Sequence, residues 1–317
     1  MKADRQTTVR DRIVLTGFGV HSGSLATLSL LPADAGSGVV FVRSGEDGER
    51  SVKVGPDAVN ATELATVLGD SSGAVVATVE HLMSTLSALG VDNVICEIDG
   101  PEVPIMDGSA GAFVEAIDQV GLRTLTKARR YIKVLKPIKV MMGRGWGELR
   151  PRDGGFRVET EIDFDNPLIG RQSFAGDVGP AMFRRDLARA RTFGFLSDVT
   201  RLWSAGYALG ASLDNTLVVG DDRVLNQDGL RYADEFVRHK ALDAIGDLAM
   251  AGAPLIGLYR SYCGGHRLNH MVLRALLADA SAWCWTDKPV EHAAAPRRAY
   301  AGRGAELAMP AFRADHS

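Results

Sequence analysis

Hydrophobic and polar positions alternate in short runs along the first part of the chain. Arg12-Ile13-Val14-Leu15 and Ala26-Thr27-Leu28-Ser29-Leu30 predict strands. Val39-Val40-Phe41-Val42 predicts another, after a turn at Pro32-Ala33-Asp34-Ala35-Gly36. The second half repeats this rhythm: Trp146-Gly147-Glu148-Leu149, a turn at Pro151-Arg152-Asp153-Gly154-Gly155, then Phe156–Ile162. The helical regions echo as well. A helix is predicted from His81 to near Gly90, with Leu82, Leu86 and Leu89 on its core face. A strand over Val94–Ile98, a glycine at Gly108 and a helix over Ala112–Val120 follow. Later come a helix from His239 to near Gly252, a strand over Leu255–Tyr259, the pair Gly264-Gly265 and a helix over Leu268–Leu277. The same order twice predicts a duplicated α+β unit, with a chance echo of common strand–helix–strand patterns as the alternative. The joint falls in the polar stretch Leu122–Arg130. It divides the chain into residues 1–126 and 127–288, and residues 289–317, rich in Ala, Arg and Pro, read as a loose tail.

Composition narrows the class. With 317 residues, 46% hydrophobic and 24% charged, the chain is long enough for two domains and reads as globular. A net charge of −3 gives no basic excess for nucleic acid. Cys96, Cys263 and Cys284 are far apart and odd in number, so neither a disulfide framework nor a CxxC metal knuckle is expected. No signal-like apolar core follows Met1–Gln6, and no run approaches the ~18 apolar residues of a membrane span. The expectation is a cytoplasmic enzyme with no stable membrane insertion.

The chemistry concentrates in the helix that carries His239. At about 100° per residue, His239, Asp243 and Asp247 share one stripe, with Leu242, Ile245, Leu248 and Ala249 roughly opposite. A buried row of one imidazole and two carboxylates is costly unless a cation sits on it. The i, i+4 spacing of His239 and Asp243 lets both side chains reach one ion, or else form a salt-bridged surface pair. Asp247 adds a third charge without an obvious structural partner.

Glu80-His81 opens the earlier helix behind Thr78, which is predicted as its N-cap. The pair reads either as a general base beside a metal ligand or as a surface carboxylate beside a satisfied histidine. Thr85 stands where a zincin would carry its second histidine. Two histidines, an aspartate and water describe a catalytic zinc with an open position, and the same donors admit iron or cobalt. Lys240 binds an anionic group or is solvated. His266, after Gly264-Gly265, is a loop histidine of the kind a scaffold aims. His21, between glycines, is read as structural. The loop Gly100–Ala110 reads as a rigid turn capped by Asp or Ser, without a phosphate-loop ending. Phe193-Gly194-Phe195-Leu196 leads into Val199, Leu202, Trp203 and Tyr207 at helical spacing, as core or as the wall of an apolar slot.

These residues together resemble the zinc-dependent UDP-3-O-acyl-N-acetylglucosamine deacetylases of lipid A biosynthesis. The resemblance is carried by Thr78-Val79-Glu80-His81-Leu82, Pro101–Ala110, Ala190-Arg191-Thr192-Phe193-Gly194-Phe195, Val224–Arg231, Asp234–Leu248 and Gly265-His266 with Asn269. It spans about Thr8 to Trp285. It implies two similar α+β domains, each with an insert, and an active site at their interface. The second insert, about residues 193–219, would form an apolar passage for the acyl chain. His81, His239 and Asp243 would hold Zn2+. Glu80 would be the general base, His266 the general acid kept charged by Asp247, and Thr192 a donor to the oxyanion. Lys240 would meet the substrate phosphates, Phe164 would stack on uracil, and Phe193 and Phe195 would line the passage. The implied partner is an amphiphilic UDP-sugar with an acyl chain, and a monomer is expected.

The chain departs from the family pattern at three places, all at the expected nucleotide end. Asp165-Asn166-Pro167 stands where Asn-His-Pro is common, Gly145 beside Arg144 where a lysine is usual, and Cys263 where a basic residue often stands. Two other classes share these features: a zinc hydrolase of another amide, and a non-catalytic sugar-nucleotide or lipid binder on the same fold.

Overall fold

The computed structural model describes residues 4–45 and 48–287, so the predicted loose tail over 289–317 lies outside the described residues. The first half runs β1 (Arg5–Val9), β2 (Ile13–Phe18), β3 (Leu25–Pro32), β4 (Val39–Gly45), β5 (Gly48–Lys53), β6 (Val59–Ala61), β7 (Val67–Asp70), β8 (Gly73–Val76), α1 (Glu80–Leu89), β9 (Val94–Ile98), α2 (Gly111–Val120) and β10 (Leu122–Ala128). The second half runs β11 (Tyr131–Val134), β12 (Ile138–Met142), β13 (Gly145–Arg150), β14 (Phe156–Asp163), β15 (Arg171–Val178), α3 (Pro180–Met182), β16 (Phe193–Phe195), α4 (Val199–Ser204), β17 (Leu217–Val219), α5 (Glu235–Ala249), β18 (Leu255–Tyr262), α6 (His266–Ala278) and β19 (Trp283–Thr286).

The fold is mixed α+β, and one strand order occurs in both halves. The first sheet is β2-β3-β9-β4-β5, antiparallel except for the parallel β4–β9 pair. In the second, β12-β13-β18-β14-β15 has the same pairings, with β14–β18 parallel, and β11 and β19 extend it. A parallel pair needs a crossover. The crossover from β4 to β9 contains α1, and that from β14 to β18 contains α5. Each parallel pair therefore brings one helix across its sheet, and α1 and α5 pack on each other at the centre of the molecule.

This packing explains a feature that one-sided periodicity does not. The apolar face of α5 (Leu242, Ile245, Leu248) is buried, and so is its polar stripe of His239, Asp243 and Asp247. Close contact between the helices is permitted at Gly246, where a Cβ would stand 2.1 Å from the carbonyl oxygen of Glu80. Two local expectations are corrected. The helix predicted from His239 begins a turn earlier, at Glu235, because Asp234-Glu235 already opens it. The Phe193 segment, read as helical, is the strand β16 paired in parallel with β17, and only α4 beyond it is helical. Its aromatic rings belong to a second apolar cluster built on Ile162, Leu217, Val219 and Phe236.

Candidate metal centre and active site

Three donors converge where α1 meets α5. His81 comes from the first turn of α1, and His239 and Asp243 from successive turns of α5. Their ligand atoms lie within 4.8 Å of one another. The Nε2 atoms of His81 and His239 stand 3.6 and 3.4 Å from Asp243 Oδ1. All three residues are buried, and among the described residues Asp243 Oδ1 and His81 Nδ1 have no hydrogen-bond partner. Buried polar atoms are normally paired. A carboxylate oxygen left unpaired between two imidazole nitrogens fits a bound cation.

The surroundings prepare the donors. His239 Nδ1 faces the carbonyl oxygen of Ala190 at 3.0 Å, so that nitrogen carries the proton and Nε2 presents its lone pair to the centre. Burial pushes the His239 imidazole down to about 3, although Asp243 opposes this, so the ring is neutral, as a ligand must be. Burial disfavours ionised Asp243, but positive charge beside it, carried at neutral pH by the ammonium of Lys240, holds its carboxyl well below the usual range. Lys240 Nζ donates to Asp243 Oδ2 at 2.9 Å, leaving Oδ1 for the centre.

A carboxylate and an imidazole flank the donors. Burial raises Glu80, whose Oε2 accepts the backbone N–H of Thr66 at 3.1 Å. Its Oε1 lies 3.8 Å from His266 Nε2. His266 Nδ1 stands 3.0 Å from Asp247 Oδ2. Asp247 also accepts from Thr66 Oγ1 (2.6 Å) and Asn269 Nδ2 (2.8 Å), and the Tyr259 hydroxyl donates to the amide oxygen of Asn269. Burial opposes charge on His266, but Asp247 and Glu80 raise it to about 9. A carboxyl group raised by burial and a charged imidazole thus face each other in one site.

One cavity of about 280 Å³ joins these groups. Glu80, His81, Thr192, His239, Lys240, Asp243 and His266 line its polar side, and Phe193, Phe195, Leu202, Leu64 and Ile105 its apolar side. Asp247 stands behind His266. Phe164 is not among the lining residues and packs behind the wall, its ring centroid 5.9 Å from Phe193 and 5.7 Å from Phe195. A second crevice, of about 230 Å³ and lined by Met83, Leu86, Pro254 and Trp285, holds none of the predicted residues.

The sequence reading left out several neighbours of the site. His21, read as structural, lines the cavity, and its Nδ1 accepts the N–H of Ala208 at 3.4 Å. Glu102 puts it there by accepting the N–H groups of His21 and Ser22 and the hydroxyl of Thr78 at 2.6 Å. Thr78 is therefore no N-cap. Its φ is 55°, and Val79 holds the cap position without a side-chain bond. Thr66 carried no periodic signal. Asn269 did carry one, lying three residues after His266 on the same face of α6.

A two-histidine, one-aspartate donor set beside a buried carboxylate and a charged imidazole defines the class: a metal-dependent hydrolase. The chain belongs to the LpxC family, described as UDP-3-O-acyl N-acetylglycosamine deacetylase, whose model matches residues 6–278. It is 54% identical over 279 residues to the UDP-3-O-acyl-N-acetylglucosamine deacetylases of Brucella ovis, Brucella canis and Brucella suis, covering 88% of this chain and 97% of each relative.

Proposed function

We propose that this chain hydrolyses the N-acetyl group of UDP-3-O-acyl-N-acetylglucosamine, releasing acetate and the free amine, the committed step of lipid A biosynthesis. The observation that carries this reading is the meeting of His81, His239 and Asp243 within 4.8 Å, with Glu80 and His266 lining the same cavity. The repeated sheet order supports two similar domains, residues 1–126 and 127–288, with the site between their central helices. His81, His239 and Asp243 would hold zinc, with iron as the alternative these donors accept. When bound, the ion polarises the acetamide carbonyl and acidifies water.

The remaining steps belong to the chain. Glu80, held at Oε2 by the Thr66 amide, takes the proton of the attacking water on Oε1. Oxygen adds to the carbonyl carbon, and the Thr192 hydroxyl donates to the developing oxyanion. The carbon–nitrogen bond then breaks as His266 Nε2 protonates the leaving amine, with Asp247 holding the opposite ring nitrogen. Lys240 provides positive charge for the phosphates, and Phe193 and Phe195 an apolar wall for the acyl chain. Phe164 would stack on uracil from the outer side of that wall.

The deciding experiment is turnover of UDP-3-O-acyl-N-acetylglucosamine by the purified chain, followed by mass spectrometry, with metal content measured on the same sample. Loss of the acetyl mass with about one zinc per chain is expected. Cleavage of other amides but not this one would make the protein a different amidohydrolase. Binding without turnover would make it a non-catalytic binder.

A further inference from the structure

One buried ion pair lies beside the site and has no part in the proposed reaction. The Arg191 and Glu235 side chains are 7% and 0% exposed, and Arg191 Nε lies 2.9 Å from Glu235 Oε1. Such pairs are poor stabilisers, because desolvation offsets their attraction. Its position gives it another role. Arg191 lies between Ala190, whose carbonyl meets His239 Nδ1, and Thr192, which lines the cavity. Glu235 sits one helical turn before His239 on α5.

The bonds around the pair form a closed ring. Glu235 Oε1 accepts both the backbone N–H of Arg191 (3.0 Å) and its side chain, so it grips the loop as well as the guanidinium. Arg191 Nη2 also donates to Gly229 O at 2.7 Å. Glu235 Oε2 accepts the backbone N–H of Arg231. The Arg231 side chain reaches Asp107 Oδ2 (2.8 Å) and Arg189 O (3.1 Å), and Gly108 O accepts the N–H of Thr192 at 2.8 Å. The segment Ala190-Arg191-Thr192 is thus tied at its middle to the helix that carries two of the three metal donors.

We infer that Arg191 and Glu235 are positioning residues that hold the Ala190 carbonyl on His239 Nδ1, so that Nε2 is the nitrogen offered to the metal. The inference rests on the metal-centre reading above. Outer-shell partners of this kind change metal affinity by about 10- to 100-fold.

The test uses the full chain labelled with 15N-histidine, first free of metal. The wild type is expected to show a protected ring N–H for His239 and another for His266 against Asp247. In Arg191→Met/Glu235→Leu, an apolar replacement of both charges, the His239 ring proton is lost and that of His266 stays. Zinc affinity, measured by chelator competition, then falls about 10- to 100-fold, and kcat falls with KM little changed. Glu235→Gln keeps an acceptor for the Arg191 N–H and should retain the His239 proton. If the double variant does not fold, Arg191→Lys decides, with a loss of roughly 10-fold in zinc affinity expected because lysine lacks the guanidinium fork. An intact His239 ring proton with zinc affinity within about twofold of wild type would overturn the inference. If the wild type binds zinc no better than His239→Ala, the metal-centre reading fails instead, and the ring-proton measurement still decides the positioning role.

Discussion

Gly246 stands against the backbone of Glu80, where a Cβ would lie 2.1 Å from the Glu80 carbonyl oxygen. The contact sits between Asp243 and Asp247 on α5 and beside His81 on α1, so it sets the distance across the metal centre. In an ordinary helix, Gly→Ala gains about 1 kcal/mol. Here the added carbon meets backbone, and overpacking of this kind costs about 1–3 kcal/mol. Gly246→Ala is expected to lower the denaturant midpoint and weaken metal binding together. A more stable variant with unchanged metal affinity would show that the helices do not need this contact.

The pH dependence follows from His266. Burial opposes its charge, while Asp247 and Glu80 raise it to about 9. A general acid works while protonated, so the alkaline limb of kcat/KM should fall through that region. Asp247→Asn removes the largest of the raising influences, and the limb should move to lower pH. His266→Gln should abolish the limb and reduce the rate by about 10²–10⁴. If the alkaline limb is unchanged in both variants, another group donates the proton.

The stripe on α5 was legible because three chemically unusual residues repeat at the helical period. What covers the stripe was not, since α1 reaches it only through the packing of two crossovers far apart in the chain. Thr66 shows the same limit more sharply: it donates to Asp247 from 181 residues away, and nothing in its own neighbourhood marks it. The Thr78 expectation failed because a buried carboxylate, Glu102, took its hydroxyl and the backbone turned to positive φ. The departures at Gly145 and Cys263 are separate in sequence but meet in space. A Cβ on Gly145 would stand 2.7 Å from the Cys263 carbonyl oxygen, which makes them one local change in the second sheet.

Glu80 is adjacent in sequence to a proposed ligand, so base and ligand must be told apart by experiment. Its Oε2 is held by Thr66 N–H at 3.1 Å, and Glu80 is not among the three convergent donors. Glu80→Gln should keep the metal and lose about 10²–10⁴ in kcat. Metal analysis on the same preparation checks this. Parallel loss of metal and activity would make Glu80 a ligand.

Metal binding should also appear as stability. Asp243 Oδ1 is buried without a hydrogen-bond partner among the described residues, and an unpaired buried acceptor is unfavourable. An ion bound to the folded state alone stabilises it by about 2.7 kcal/mol at a hundred times its Kd. Adding zinc to metal-free wild type should therefore raise Tm by several degrees, and a chelator should reverse the change. Asp243→Ala and His81→Ala should lose this response, because each removes one of the three convergent donors found among the described residues. Glu80→Gln should keep it, since it leaves all three in place. A zinc-induced shift that survives Asp243→Ala would place the stabilising ion elsewhere in the chain.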